Sequence, residues 1–182
     1  MAITYPTVLI NEYLSQNIYS KLEDSYYGPP MFFPVMPTDI EGITNDQPQR
    51  ANDVFAVYER MPQNRYKPFP HVKFEQTIYQ LYKVNDNIEP LLETAQVIYD
   101  LLDREDESAQ ELNAWIAEQT NPDGTVTFGR GKLERTFKPV FFHSMRAYQL
   151  QESLTIVNPK TTRTLAGTKM IVEYKYHTEN YQ

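Results

Sequence analysis

The chain has 182 residues, of which 41% are hydrophobic, 13% aromatic and 23% charged, with a formal net charge of -7. That length suits a single domain over residues 1–182 with one apolar core, and the acidic balance argues against a general nucleic-acid binder, which needs clustered Lys and Arg to release counterions from phosphates. The chain has no cysteine, which excludes disulfides, thiolate metal sites and thiol nucleophiles.

The opening "MAITYPTVLINEYL" lacks the basic region and apolar stretch of a signal peptide, and no apolar run reaches the roughly 18 residues of a membrane span. Synthesis in the cytoplasm is therefore expected. From Pro6 to Leu22, Ile10, Leu14 and Ile18 recur every four residues beside Leu9 and Tyr13, which predicts an amphipathic helix. "YYGPPMFFPVMP" then reads as a loop feeding an edge strand, since Pro34 cannot donate to a sheet ladder. Residues 38–52 are polar and predict a long exposed connection.

Val54 to Met61 has the β-branched and aromatic content of a strand. Its expected partner is the stretch "YKPFPHVKFEQTIYQLY". There Val72 and Phe74 have one parity and Tyr79 and Leu81 the other, so a β-bulge is needed to bring both pairs to one face. Ile88, Leu91, Leu92, Ala95, Ile98, Tyr99 and Leu102 predict a long helix after Asn87 as N-cap. "DREDE" would place anions at the negative end of that helix, which predicts a break there. Ser108 and Glu111 then form the capping box of a new short helix through Leu112, Trp115 and Ile116.

"NPDG" predicts a turn into the short strand "TVTF". "PVFFHSMRAYQLQ" and "TKMIVEYKYHT" alternate as strands, with Met170, Val172, Tyr174 and Tyr176 on one side of the second. Between them "NPKTTRTLAG", residues 158–167, reads as a long polar loop or hairpin tip, within an exposed connection over 151–167. Strands in groups with helices between the groups predict an α+β domain. The expected form is a mainly antiparallel sheet with two principal helices packed on one face and long extended loops.

Chemistry-bearing patterns are sparse. His71, His143 and His177 are far apart in sequence, and no nucleophile elbow supports Ser144 or Ser153 as a hydrolase serine. Asp103, Glu105, Asp106 and Glu107 match no EF-hand spacing. No catalytic, cofactor or metal position is assigned. "FGRGKLERTFK" is the sharpest patch, with Arg130, Lys132, Arg135 and Lys138 among Phe128, Leu133 and Phe137. Such interleaving would serve either single-strand binding by base stacking or salt bridging to an acidic neighbouring subunit.

The leading helix from Pro6 to Leu22, the proline-flanked strands near Val54 to Met61 and Val72 to Val84, the helix from Ile88 and the closing "VEYKYHT" together resemble the tail terminator, or tail-completion, proteins of long-tailed bacteriophages. The resemblance spans nearly the whole chain and rests on architecture and size, with no catalytic residue to carry over. It implies a structural, non-enzymatic virion protein of the tail–neck region, assembled in the host cytoplasm. Its expected form is a homo-oligomeric, hexameric ring that caps the tail tube protein, ends elongation and meets the head-side neck or connector protein. In contractile tails it also implies contact with the sheath protein. DNA would pass through the ring without sequence-specific binding, which suits an acidic chain. Residues 38–52 and 151–167 would then be ring-forming arms. The outward face of the strand at 72–84, with Lys73, Glu75, Tyr82 and Lys83, would meet neighbours, as would the patch carrying Arg130, Lys132 and Arg135. Another head–tail connector, a stopper or an adaptor, and a single-stranded nucleic-acid module remain the competing readings.

Overall fold

A computed structural model describes residues 5–21, 31–36, 54–62, 72–83, 89–129, 131–157 and 164–178. Helix α1 (Pro6–Lys21) begins at proline, whose missing N–H has no intrahelical partner in a first turn. It buries Leu9, Ile10, Tyr13, Leu14 and Ile18. Strand β1 (Met31–Phe33) ends before Pro34, and β2 (Val54–Pro62) and β3 (Lys73–Lys83) follow. Next come helices α2 (Glu89–Leu102) and α3 (Asp106–Gln119). Strands β4 (Val126–Phe128), β5 (Arg135–Phe137), β6 (Val140–Val157) and β7 (Thr164–Thr178) complete the described chain.

Five strands form a sheet in the order β1-β2-β3-β7-β6, while β4 and β5 pair separately. The β1–β2 pair is parallel and the other described pairs are antiparallel. All three helices share one core with the sheet: Leu14, Ile98, Leu112 and Trp115 belong to the same buried cluster as Leu81, Met145 and Val172. The α+β architecture is as the sequence predicts. The third helix is as long as the second, at 14 residues each, so it is more than the short extension expected. On the opposite face Phe55 and Tyr82 form a smaller cluster with Phe33, Met36 and Val57 packed against it.

Several local expectations are corrected. Strand β3 pairs without a register shift with β7 from Lys73 to Lys83 and with β2 from Glu75 to Lys83, so no bulge reunites Phe74 with Tyr79 and Leu81. Glu75 and Thr77 take the helix-facing positions instead, because buried hydroxyl and guanidinium groups satisfy them. Register shifts occur in β6, between Phe142 and Ser144 and again between Gln149 and Leu154. The expected loop at 151–167 is largely strand: β6 runs to Val157 and β7 starts at Thr164, where the two residues pair. The expected connection at 38–52 and the expected cap Asn87 lie outside the described residues.

The capping box is also replaced. Helix α3 starts at Asp106, and Ser108 lies buried within its first turn. The Ser108 hydroxyl accepts from the Arg104 N–H at 3.0 Å, while the Arg104 guanidinium binds Glu107 and Glu111. Asp106 and Glu107 occupy the first turn, where the positive end of the helix dipole favours anions.

The break between α2 and α3 seals the outer edge of β6. Glu105, at φ 47°, accepts the Met145 N–H on its carbonyl at 3.2 Å, and the Asp103 carboxylate accepts from the Ala147 N–H at 3.0 Å. The Glu105 side chain pairs with Arg146. An open strand edge is a template for pairing with other chains, and this stretch of it is occupied.

Candidate functional site: a basic hairpin and a buried glutamate paired with arginine

The β4–β5 hairpin grows directly from α3. Gly124 donates to the Asn121 carbonyl at 2.9 Å and Asn121 donates to the Thr125 carbonyl at 2.7 Å. Asp123 accepts from both the hydroxyl and the N–H of Thr125, at 2.6 and 3.0 Å. Asn-Pro-Asp-Gly suits such a turn because Asp bonds the backbone two residues on and Gly accepts positive φ. The Thr125 hydrogen bonds hold the Asp123 carboxyl below the usual range.

An aromatic ladder anchors the hairpin. Trp115 stacks on Phe128 with centroids 5.9 Å apart and planes 9° apart, Tyr13 meets Trp115 edge-on at 5.5 Å, and Phe128 lies 6.1 Å from Phe137. The Trp115 Nε1–H donates to Gln16 at 3.1 Å. Each such ring pair adds about 1 kcal/mol beyond burial.

Phe128 and Phe137 are therefore buried, and the base-stacking platform allowed by the sequence is absent from this stretch. Leu133 alone of its three apolar residues is exposed, at 78%. The 3-10 turn Gly131–Leu133 carries it. Gly129 and Gly131 have φ of +89° and +58°, and a Cβ on Gly129 would sit 2.4 Å from the Leu133 carbonyl oxygen. Only glycine fits at position 129, which sets the path of the turn that carries Leu133. Lys132, Glu134 and Arg135 flank it in the chain and Lys138 follows the hairpin base, all exposed.

Arg135 also lines a cleft of about 610 Å3 with Tyr5, Val8, Tyr58, Arg60 and Phe137. The Arg60 guanidinium lies 5.4 Å over the Tyr5 ring, within cation–π range. From the other side Arg60 grips Glu75 bidentately, Nε to Oε2 at 2.9 Å and Nη2 to Oε1 at 2.5 Å. Tyr176 donates to Glu75 Oε1 at 2.5 Å and Tyr174 to Oε2 at 3.2 Å. The Tyr174 hydroxyl also meets Thr77 at 3.0 Å and Thr7 of α1 at 3.2 Å.

Burial works to raise the Glu75 carboxyl, but the Arg60 and tyrosine hydrogen bonds outweigh it and leave its pKa lowered. Burial, with the Glu75 hydrogen bond next, raises the Tyr176 hydroxyl. The group is thus a fixed ion pair whose acid is fully ionised at neutral pH. It ties β2, β3, β7 and α1 together and presents no group poised for proton transfer.

The structure separates the residues that the sequence grouped on an outward strand face. Lys73, Glu75 and Lys83 share the helix-facing parity of Tyr79 and Leu81, and Glu75 and Lys83 are 3% and 4% exposed. Tyr82 is on the other face but is itself buried against Phe55, with centroids 5.5 Å apart. Lys73 is half-buried. Glu75, Tyr82 and Lys83 are therefore core groups in the chain, because the polar ones carry internal partners. Lys132 and Arg135 are exposed as expected, and Arg130 and His71 lie outside the described residues.

Two histidines distant in sequence meet: His143 Nε2 and His177 Nδ1 are 2.7 Å apart, with both rings against Phe141. Strand pairing places Phe141 opposite His177, and His143, two residues on from Phe141, shares that face. Burial first, then the charge of His177, lowers the His143 pKa. Among the described residues no three His, Asp or Glu side chains converge as metal ligands. Ser144 lines a cleft of about 430 Å3 with Phe74, Glu105, Arg146, Glu173 and Lys175, and no described histidine lines it. Arg60 was not singled out from sequence. Its signal was the shared parity of Glu75, Thr77 and Tyr79, which places an acid in the core and demands a cation.

No family model matches the sequence, and no curated protein matches it. Among the described residues, no helix is long and apolar enough to cross a membrane.

Proposed function

We propose that this chain is a non-catalytic virion protein of the tail terminator type, working by self-association at the tail–neck junction of a long-tailed bacteriophage. It forms a ring on the finished tail tube, ends tube elongation and offers its other face to the neck or connector protein. The sheath protein is a further contact in a contractile tail, and DNA passes through the ring unread.

One observation carries this reading. Leu133 is 78% exposed on a turn shaped by two glycines at positive φ, with Lys132 and Arg135 close by in sequence, on a chain whose net charge is -7. An apolar side chain in that position gains about 2 kcal/mol when a partner covers it, and the neighbouring cations favour an acidic partner surface. The α+β architecture supports the resemblance, and the buried aromatics of the hairpin speak against single-strand binding.

Class-averaged electron microscopy of the purified protein at high concentration tests the proposal. Sixfold rings are the expected result. Twelvefold rings would assign the chain to a head-side adaptor instead, and particles that stay monomeric at every concentration would overturn self-association.

A further inference from the structure

Leu133 needs an acceptor, and the chain carries one that fits. Between α2 and β6, Leu92, Ala95, Tyr99, Tyr148 and Met170 line a cleft of about 320 Å3. Leu92 and Tyr99 of α2 are exposed large apolar residues lining it, and the volume admits a leucine side chain.

The charges around cleft and hairpin are opposite. Glu93 and Asp100 are exposed on α2 and Asp103 follows at its end. None of the three forms a salt bridge with a described residue. At the hairpin, Lys132, Arg135 and Lys138 outnumber Glu134, and none of these cations has a salt bridge with a described residue either.

Position excludes an internal solution. Arg135 and Phe137 lie beside Tyr58 and Arg60 of β2, whereas the cleft is walled by Tyr148 and Gln149 of β6. Strands β3 and β7 lie between β2 and β6, and three strand spacings are about 14 Å. The hairpin base and the cleft thus flank opposite sides of the sheet.

We infer that the Leu133 tip of one copy docks into the Leu92–Tyr99 cleft of a second copy, with Lys132 and Arg135 facing Glu93, Asp100 and Asp103. A contact between two different patches is heterologous, and it repeats from copy to copy until rotation closes a ring. This inference rests on the ring-forming reading above and supplies its interface. The charges fix the register of docking.

The absence of cysteine makes the test clean. Leu133→Cys combined in one chain with Leu92→Cys, or with Gln96→Cys, which also lines the cleft, should oxidise to a ladder of covalent oligomers, since a disulfide demands Cα atoms within about 7 Å. Each single variant should remain a monomer on the same denaturing gel. Leu133→Ser should weaken self-association roughly tenfold in sedimentation while leaving the circular dichroism spectrum unchanged. Rings that form normally without a ladder from either cysteine pair would overturn this contact and leave the ring reading intact. A wild-type protein that never self-associates would overturn both.

Discussion

Asn113 holds the backbone of Phe142 by both of its polar groups: Nδ2 donates to the Phe142 carbonyl at 2.8 Å, and Oδ1 accepts from the Phe142 N–H at 2.9 Å. A helix side chain thereby completes the ladder of an edge strand. With Glu105 at Met145 and Asp103 at Ala147, it occupies outward backbone groups of β6 at three successive points.

Asn113→Ala should therefore lower stability by about 2 kcal/mol, the scale for stranding a part-buried N–H and C=O. The check is a urea titration, where the midpoint should fall with little change in slope. The variant should also aggregate faster than wild type, because an open edge invites pairing.

Glu75→Ala should cost about 3 kcal/mol, since it strands a half-buried guanidinium and removes the acceptor of two tyrosine hydroxyls. The pH dependence has a definite sign. The folded pKa of Glu75 is lowered, so its contribution is complete above the ordinary glutamate value of about 4.3 and is lost as pH falls through the lower folded value. Glu75→Gln should accordingly differ most from wild type at neutral pH, and the gap in unfolding free energy should shrink below pH 4. A constant gap across that range would show that charge is not what the site needs.

Gly129→Ala should destabilise the hairpin by more than about 1 kcal/mol, because it combines a positive φ with contact to the Leu133 backbone. Gly124→Ala is the control, as it has positive φ but open space around the new methyl. Amide exchange should report faster opening over 126–137 for the first variant than for the second.

The His143 imidazole carries a pH prediction of definite sign. The folded His143 pKa is lowered, by burial and by its neighbour, so the imidazole should protonate below the ordinary value of about 6.5. The neutral pair is favoured above that pH, and its contribution is lost as pH falls through the folded value. In an NMR titration His177→Ala should move the His143 midpoint upward.

Much of the fold was legible because apolar spacing is a direct trace of burial. The stripe Ile10, Leu14, Ile18 and the alternation Met170, Val172, Tyr174, Tyr176 both face the core as expected. Strand β3 was misread where burial and polarity part company. Glu75 and Thr77 look like solvent-facing residues until Arg60, Tyr174 and Tyr176 are known to surround them, and those partners lie 15 to 101 residues away in sequence. The basic patch was legible at Lys132 and Arg135, yet its aromatic residues were ambiguous, since Phe128 and Phe137 could face a base or a tryptophan. Trp115 decides the matter through tertiary contact alone. The His143–His177 contact depends on which residue of β6 pairs with which residue of β7, and alternation within each strand does not record that register.

The middle of the sheet has a further consequence, one of timing. Strands β3 and β7 pair along eleven positions, from Lys73 with Tyr176 to Lys83 with Ala166, yet α2, α3, the β4–β5 hairpin and β6 all lie between them in the chain. On a ribosome β7 emerges after every other described strand. Until then one side of β3 has no partner, and the Glu75 carboxylate lacks both tyrosines that cradle it. Contacts of such long separation slow folding, and exposed strand sides attract neighbouring nascent chains. The newly made protein thus closes its sheet in one late step, and only a finished copy carries the paired surfaces through which it could join others.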